Sequence, residues 1–287
     1  MTEFSSYFIH YLFIISIEFM TEFSYSNTLL TIFYISPPTV MLTSGYSTVV
    51  LSSAGREALE VLRGEAAKFF AAPLEAKLPL EECTTPFQGG TLRAFCRAKC
   101  GRERLELRRQ SESGGGCVPP GALPDDAFCA AWDALEVCAL GALDEMGDAL
   151  GATVPLSSAL ASAAASAPPG DASASPPLHP SSLRLNHYGA GTGAGCPTHT
   201  DVGVVTLICN SWGTPGLELL NRDGEWVKVE ELVAPDCRGL DSIVLIAGDT
   251  LERWSGGAVR ALPHRVVTAE GAADARLSIS FHLYAPS

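Results

Sequence analysis

Positive charge is scarce in this sequence, which has 19 Lys and Arg against 32 Asp and Glu and a net charge of -13 at pH 7. Nucleic acids and anionic membrane surfaces attract positively charged proteins, so this balance argues against both as partners. The one basic cluster, from Arg93 to Arg109, holds seven of the 19 basic residues. Because Glu103 and Glu106 interrupt it, we interpret the cluster as a solvated edge rather than a phosphate-binding patch.

The sequence also lacks a long hydrophobic run. An apolar stretch near the start, Tyr7 to Ile17, is interrupted by Glu18, whereas a membrane-spanning helix needs about 20 apolar residues. The first 55 residues contain no Lys or Arg, so the positive segment that opens a signal peptide is missing. We therefore expect a cytoplasmic protein, with membrane association through residues 7–34 as the weaker alternative.

The nine cysteines show no regular spacing, and the chain is long enough to fold without disulfide bonds. This pattern is typical of free thiols in a reducing compartment. Cys96 and Cys100 lie close together, but no second Cys or His pair follows at the spacing of a structural zinc site. The sequence therefore predicts no metal site built from cysteines.

Two regions of different composition precede residue 152. Residues 1–44 are rich in aromatic residues, Ser and Thr, and we expect an atypical, disordered extension there. Residues 45–151 are predicted to form a partial helical N-terminal region of the fold. Apolar residues recur at helical spacing from Ser53 to Phe70 and from Asp125 to Leu150, which predicts two helices.

Weaker patterns fill the rest of this region. The β-branched stretch Gly45–Leu51 predicts a short strand. Residues 80–124 have scattered Gly, Pro and Cys with little periodicity, and we interpret them as a loop with one short strand near Leu105.

The composition changes sharply at residue 152. Residues 152–182 consist mostly of Ala, Ser, Pro and Gly, which predicts a linker or mobile loop. Residues 183–287 then alternate short apolar runs with turn residues. The predicted strands are Leu183–Tyr188, Val202–Cys209, Leu217–Leu220, Trp226–Val229, Ser242–Ala247, Leu251–Trp254, Arg265–Thr268 and Arg276–Tyr284. This order predicts a mostly β fold with flanking helices, built on a double-stranded β-helix or jelly-roll core.

A candidate metal site lies within this strand-rich part. His199 and Asp201 are two positions apart, so on an extended segment their side chains point to the same face. A third ligand is needed, and His264 is the first candidate, with His282 and His187 as alternatives. Two histidines and one carboxylate form the facial triad that is associated with oxygen-activating Fe(II).

The last predicted strand alternates strictly. Arg276 and Ser278 lie on one face, together with Ser280, His282 and Tyr284. A guanidinium group inside a barrel needs an anion, and Arg binds carboxylates through two parallel hydrogen bonds. The pair therefore indicates either a carboxylate-binding site or a structural salt bridge.

These residues belong to a longer series of motifs: Asn186-His-Tyr188, His199-Thr-Asp201, Gly216-Leu-Glu-Leu, Gly224-Glu-Trp226, Gly248-Asp249, Trp254-Ser-Gly256, His264-Arg-Val-Val267 and Arg276-Leu-Ser278. In this order the second half resembles the isopenicillin N synthase-like family of non-haem iron(II) and 2-oxoglutarate-dependent dioxygenases. Lys68-Phe-Phe70 is similar to the family's N-terminal region. Gly189 stands where the family usually has proline.

The resemblance implies a role for each matching residue. His199, Asp201 and His264 would bind Fe(II), and Arg276 and Ser278 would bind the distal carboxylate of 2-oxoglutarate with help from Tyr188. Trp226 and Trp254 would be packing residues of the barrel.

The implied reaction is the hydroxylation or desaturation of a small organic molecule by O2, with release of succinate and CO2, in a monomeric protein. Two alternatives stay open at this point. One is an oxidase of the same fold that does not use 2-oxoglutarate. The other is a non-catalytic relative that binds a metal or ligand and has an incomplete N-terminal region.

Overall fold

A computed structural model describes residues 20–25, 28–34, 41–87, 90–110, 116–166, 178–193, 195–209, 215–232, 242–268 and 271–285. Within these ranges, none of the helices is long and apolar enough to cross a membrane. The helices are α1 Met41–Ser44, α2 Ser53–Ala71, α3 Leu74–Lys77, α4 Pro79–Glu82, α5 Asp125–Ala149, α6 Leu156–Ser166, α7 Val229–Leu232 and α8 Asp249–Trp254.

The strands lie in two groups along the chain. Those before α5 are β1 Met20–Tyr25, β2 Thr28–Tyr34, β3 Tyr46–Val50, β4 Thr84–Phe87, β5 Gly90–Arg93, β6 Phe95–Arg97, β7 Arg102–Arg109 and β8 Cys117–Val118. Those after α6 are β9 Ser182–Tyr188, β10 Cys196–His199, β11 Val205–Cys209, β12 Leu217–Leu220, β13 Trp226–Lys228, β14 Ser242–Ala247, β15 His264–Val266 and β16 Arg276–Leu283.

Two antiparallel sheets build the jelly-roll core. The large sheet has the order β1-β2-β3-β14-β11-β16-β9-β7-β6, with β8 paired to β7. The smaller sheet has the order β10-β15-β12-β13, and β4 and β5 form a separate hairpin. The prediction of a mostly β jelly-roll fold with flanking helices is therefore confirmed.

The large sheet buries apolar side chains on both faces, because alternate residues of each strand point to opposite sides. On one face Leu207, Leu245 and Phe281 pack in the main core with α2 and α5. On the other face Ile208 and Val244 pack with the small sheet. The functional residues of the strands lie on this second face, between the two sheets.

Helices α2 and α5 confirm the helical periodicity of the sequence. Leu59 and Leu62 of α2 are fully buried, and Trp132 of α5 packs edge-on against Phe281 of β16 with ring centroids 5.0 Å apart. The two helices therefore close the main core over the large sheet.

The start of α2 depends on one side chain. The hydroxyl of Ser52 accepts a hydrogen bond from the backbone N–H of Gly55 at 3.2 Å, whereas Ser53 is exposed. We expect Ser52→Ala to lower the free energy of unfolding by about 1 kcal/mol, because it removes this cap. Urea denaturation followed by circular dichroism measures the effect. Ser53→Ala is the matched control, and equal losses in the two variants would contradict the assignment of the cap.

The prediction that residues 80–124 are mostly loop is wrong, although the short strand expected near Leu105 is present as part of β7. This part of the chain contributes β4 to β8, and β7 joins the large sheet beside β9. The charged residues of β7 masked its full length, since polar side chains alternate with Leu105 and Leu107 in a region that was expected to face solvent. The prediction of a strand at Leu251–Trp254 is also wrong, because Asp249–Trp254 forms helix α8 after Gly248.

Two further predictions fail in part. The Ala-rich residues Leu156–Ser166, expected to belong to a linker, form helix α6, which packs against α5. Asp144 of α5 accepts hydrogen bonds from the backbone N–H and hydroxyl of Ser157, and alanine itself favours helix. Residues 20–25 and 28–34, expected to be disordered, form β1 and β2 at the edge of the large sheet. The rest of the 1–40 segment and residues 167–177 lie outside the described residues.

Candidate metal and carboxylate site

The pairing of β10 with β15 brings two candidate ligands together. His199 lies directly opposite His264 in the antiparallel register, and the ring centroids are 4.3 Å apart. Asp201 lies two residues after His199, the last residue of β10. Its Oδ1 lies 3.8 Å from Nε2 of His199, and its Oδ2 lies 3.8 Å from Nε2 of His264. One ligand atom from each of these three residues lies within 4.8 Å of the other two.

Backbone carbonyls orient both imidazole rings. Nδ1 of His199 is 2.9 Å from the carbonyl oxygen of Pro197, and Nδ1 of His264 is 3.1 Å from that of Leu262. A carbonyl oxygen only accepts, so each Nδ1 carries the proton and donates it. In the neutral form of each ring, Nε2 therefore carries the lone pair and faces Asp201, which is the usual orientation of metal-binding histidines.

The backbone of Asp201 is held in place, whereas its carboxylate is incompletely paired. The backbone N–H of Asp249 donates to the carbonyl oxygen of Asp201 at 2.8 Å, and a Cβ at Gly248 would lie 2.3 Å from the carbonyl oxygen of Gly203. Glycine is thus required at 248 for this close approach. Asp201 is buried, yet its Oδ2 has no hydrogen-bond partner among the described residues. A buried carboxylate oxygen without a partner fits a cation that is bound there in the working protein.

The protonation states of the three candidate ligands also fit a metal site. Burial would raise the pKa of Asp201, but the neighbouring His282 and His264 lower it to about 2. Burial lowers the pKa of His264, so its ring is neutral at neutral pH. A hydrogen bond with Cys196 raises the pKa of His199 to about 9, so a metal ion would have to displace a proton from this ring in order to bind it.

The two alternative third ligands are placed differently. His187 stacks on Phe70 with centroids 5.1 Å apart, and it lies on the face of β9 opposite to Asn186. His282 lies close to the site, with Nδ1 3.8 Å from Oδ2 of Asp201. Both of its ring nitrogens contact hydroxyl groups, at 3.2 Å from Thr206 and 3.1 Å from Ser280. His264 is therefore the better third ligand.

A cavity of about 330 Å³ between the two sheets joins these residues to Arg276. Arg276 is 1% exposed, and its Nε and Nη1 have no hydrogen-bond partner within the described part of the chain. Burial lowers the pKa of Arg276, although Tyr188 and Glu230 offset part of this effect. A buried guanidinium group with two unpaired donors fits a bound carboxylate. The structural salt bridge that the sequence left open as an alternative for Arg276 is absent among the described residues.

Cross-strand rows place the other predicted residues beside Arg276. Tyr188 of β9 lies opposite Arg276, and the guanidinium carbon is 5.5 Å from the centre of its ring. Ser278 lies opposite Asn186 and is nearly buried. All of these side chains line the cavity.

The basic residues of β7 were misinterpreted from the sequence. Arg102 and Arg104 line the cavity, and Arg184 of β9 lines it as well. The interpretation of Arg93–Arg109 as a solvated edge is therefore wrong for these two side chains. Two sequence signals could have revealed these cavity-lining arginines. One is the alternation in Arg102-Glu-Arg-Leu-Glu-Leu-Arg108, and the other is the position of Arg184 two residues before Asn186, on the same face of the strand.

The two tryptophans assigned to barrel packing also differ from expectation. Trp254 is 51% exposed at the end of α8, so it does not pack in the barrel. Trp226 is partly buried under the guanidinium group of Arg265, whose central carbon is 3.9 Å from the ring centroid. A single residue next to a family motif is weak evidence for burial, since loop and helix geometry decide it.

Comparison with known proteins agrees with this geometry. Residues 180–283 match the family model described as the 2OG-Fe(II) oxygenase superfamily. The chain is 35% identical over 107 residues to the 2-oxoglutarate-dependent dioxygenase tropC of Talaromyces stipitatus, covering 35% of this chain and 30% of that protein. It is 28% identical over 251 residues to gibberellin 2-beta-dioxygenase 6 of Oryza sativa, covering 83% of this chain and 63% of that protein.

A solved structure shows the same fold. The 2-oxoglutarate binary complex of dioxygenase for auxin oxidation 1 from Arabidopsis thaliana has a TM-score of 0.64 at 17% identity, covering 87% of this chain and 86% of that one. The family match covers residues 180–283, and the family that it describes uses Fe(II), 2-oxoglutarate and O2. The matches to the two relatives above span less than two thirds of either relative's length.

Proposed function

We propose that the protein is an Fe(II)- and 2-oxoglutarate-dependent oxygenase that hydroxylates or desaturates a small organic molecule and releases succinate and CO2. One observation carries the proposal. A single cavity contains both an unpaired carboxylate oxygen between two oriented imidazoles and an unpaired, buried guanidinium group. The first feature suits a divalent metal ion, and the second suits the carboxylate of a cosubstrate.

We propose that His199, Asp201 and His264 bind Fe(II). Fe(II) held by these three residues would supply the activation of O2 together with 2-oxoglutarate. The protein contributes geometry through the Pro197 and Leu262 carbonyls, which fix the two rings. Burial of Asp201 and His264 keeps most of the site away from bulk water, while His199, with 41% of its side chain exposed, lies at the open side.

We further propose that Arg276, Ser278 and Tyr188 bind 2-oxoglutarate. Nε and Nη1 of Arg276 would both donate to its distal carboxylate, and the Ser278 hydroxyl would add a third hydrogen bond. Tyr188 supports the guanidinium group from the neighbouring strand. The apolar walls formed by Ile208 and Leu217 reduce competition from water inside the cavity.

The proposed function also implies how the chain is divided into domains. We propose that residues 183–287 form the oxygenase domain and that residues 45–151 complete it rather than form a separate unit. Two observations support this, since β3 and β7 belong to the large sheet and residues from Met41 to Leu283 share the main core. We also propose a monomer in a reducing, cytoplasmic compartment, and the eight free cysteines among the described residues support the compartment.

An anaerobic titration tests the proposed function. We expect a weak visible charge-transfer band when 2-oxoglutarate is added to the Fe(II)-loaded protein. In air, iron-dependent release of succinate is then measured in the presence of a metabolite mixture. Substrate-driven O2 uptake without succinate would replace the proposal with an oxidase that does not use 2-oxoglutarate. A band that is never followed by turnover would favour a binding protein.

A further inference from the structure

The cavity carries an excess of positive charge that the metal and cosubstrate sites do not use. Four arginines line it, at positions 102, 104, 184 and 276, whereas Asp201 is the one acidic side chain among the described lining residues. Asp201 belongs to the proposed metal site, and Arg276 to the proposed cosubstrate site. This distribution contrasts with the net charge of -13 of the whole chain.

Glu106 of β7 neutralises part of this excess. One oxygen of its carboxylate accepts from Nε of Arg184 at 3.0 Å, and the other accepts from Nη2 of Arg108 at 3.4 Å. Arg184 also donates to the hydroxyl of Tyr284 at 3.0 Å. Arg184 therefore has two polar partners, and Glu106 is shared between two guanidinium groups.

Arg104 is left without an adequate partner. Its nearest acidic group is the shared carboxylate of Glu106, at 4.0 Å from Nη2, beyond hydrogen-bonding distance. Its Nε is buried and has no hydrogen-bond partner among the residues that the structure describes. A guanidinium group that is mostly removed from water in this way is costly unless an anion binds to it.

The position of Arg104 separates it from the cosubstrate site. It lies opposite Asn186 of β9, which in turn lies opposite Ser278 of β16, so the whole of β9 stands between Arg104 and the strand of Arg276. Neighbouring strands are about 4.8 Å apart, which places the backbones of β7 and β16 about 10 Å from each other. Arg102 lies one row further along β7, opposite Tyr188.

We propose that Arg104, supported by Arg102, binds a carboxylate of the substrate, so that the molecule oxidised in this cavity is a small organic acid. This inference rests on the proposed oxygenase function and specifies its substrate class. Arg104 lines the same cavity as Asp201 and His282, so an anion bound to it would lie in the chamber that contains the proposed metal site. A cavity of about 330 Å³ is at the small end of ligand pockets, which favours a small acid.

The inference is tested without turnover by adding organic acids to protein saturated with Fe(II) and 2-oxoglutarate and by following the visible charge-transfer band. The probes are benzoate, phenylacetate and hexanoate, each compared with its neutral amide under anaerobic conditions. We expect at least one acid to perturb the visible band at concentrations at which its amide does not. In Arg104→Gln the acid should bind about 30-fold more weakly or worse, because a charge-assisted pair inside a cavity is lost.

Arg97→Gln is the matched control, because it removes the same charge from an exposed position on neighbouring strand β6. It should leave both acid binding and 2-oxoglutarate binding unchanged. A panel in which no acid perturbs the band more than its amide would overturn the inference, as would undiminished acid binding in Arg104→Gln. If Arg104→Gln instead weakens 2-oxoglutarate binding as much as Arg276→Gln does, Arg104 serves the cosubstrate and the inference is wrong. Absence of the band in the wild-type protein is a different result, which counts against the oxygenase function itself.

Discussion

Replacing His264 with alanine is expected to abolish Fe(II) binding and, with it, all iron-dependent succinate release. The variant keeps His199 and Asp201, and two ligands do not hold a divalent ion firmly. Loss of a hydrogen bond that only orients a ligand already costs 10–100-fold in metal affinity, so we expect loss of the ligand itself to cost more than about 100-fold. Metal analysis after anaerobic loading and the visible band with 2-oxoglutarate measure the effect.

His282→Ala is the informative comparison, because His282 lies as close to Oδ2 of Asp201 as His264 does. Its nitrogens already contact the hydroxyl groups of Thr206 and Ser280. We therefore expect this variant to retain the metal, with a loss no larger than that of an orienting residue. His187→Ala, which alters only the contact with Phe70 on the other face of the sheet, should bind Fe(II) like the wild type. If His282→Ala abolishes the band and His264→Ala does not, His282 is the third ligand.

Arg276→Gln is expected to weaken 2-oxoglutarate binding by about 2–4 kcal/mol, or about 30- to 1000-fold in Kd. The reason is that Nε and Nη1 have no other partner among the described residues, so the cosubstrate carboxylate would be their acceptor. Fe(II) affinity in the absence of 2-oxoglutarate should not change. Arg276→Lys keeps the charge but loses the two-pronged geometry, so its Kd should fall between those of wild type and Arg276→Gln. Anaerobic titration of the band gives all of these values.

A thermal melt distinguishes this result from simple misfolding. In the absence of ligands, Arg276 is a buried charge with unpaired donors, which costs stability. The Arg276→Gln variant should therefore melt no lower than the wild type without 2-oxoglutarate. It should also lose the rise in Tm that 2-oxoglutarate gives the Fe(II)-loaded wild type. Unchanged cosubstrate affinity in a well-folded Arg276→Gln protein would show that the carboxylate binds elsewhere.

Features that repeat along one element could be predicted from the sequence. The period of two in β16 placed Arg276 and Ser278 on one face, and the period near 3.6 located α2 and α5. Residues 183–287 contained enough short strands to indicate a jelly roll. In each case the information lies within a few consecutive residues, so no knowledge of the tertiary partner was needed.

Features that depend on pairing between distant strands could not be predicted in the same way. The strand register places His199 opposite His264, and this favours His264 over His282 as the third ligand. Nothing in the local sequence specifies that register. Only a short strand near Leu105 was predicted where β7 lies, because an alternation of Arg and Glu looks solvent-exposed until the cavity behind it is known. Helix α6 was missed because its composition is typical of linkers, while contacts with Asp144 and α5 stabilise it.

The pairing of β7 with β9 has a consequence for how such proteins diversify. Residues 102–109 lie upstream of the family segment at 180–283, so the proposed acid-binding arginines and the proposed cosubstrate residues are encoded in separate stretches of the chain. A change on β7 can then alter the preferred substrate without touching the metal ligands or Arg276. We therefore expect proteins with this architecture to differ in substrate through the sequence of β7, which lies next to the edge strand β6. The proposed metal ligands and Arg276 would stay the same.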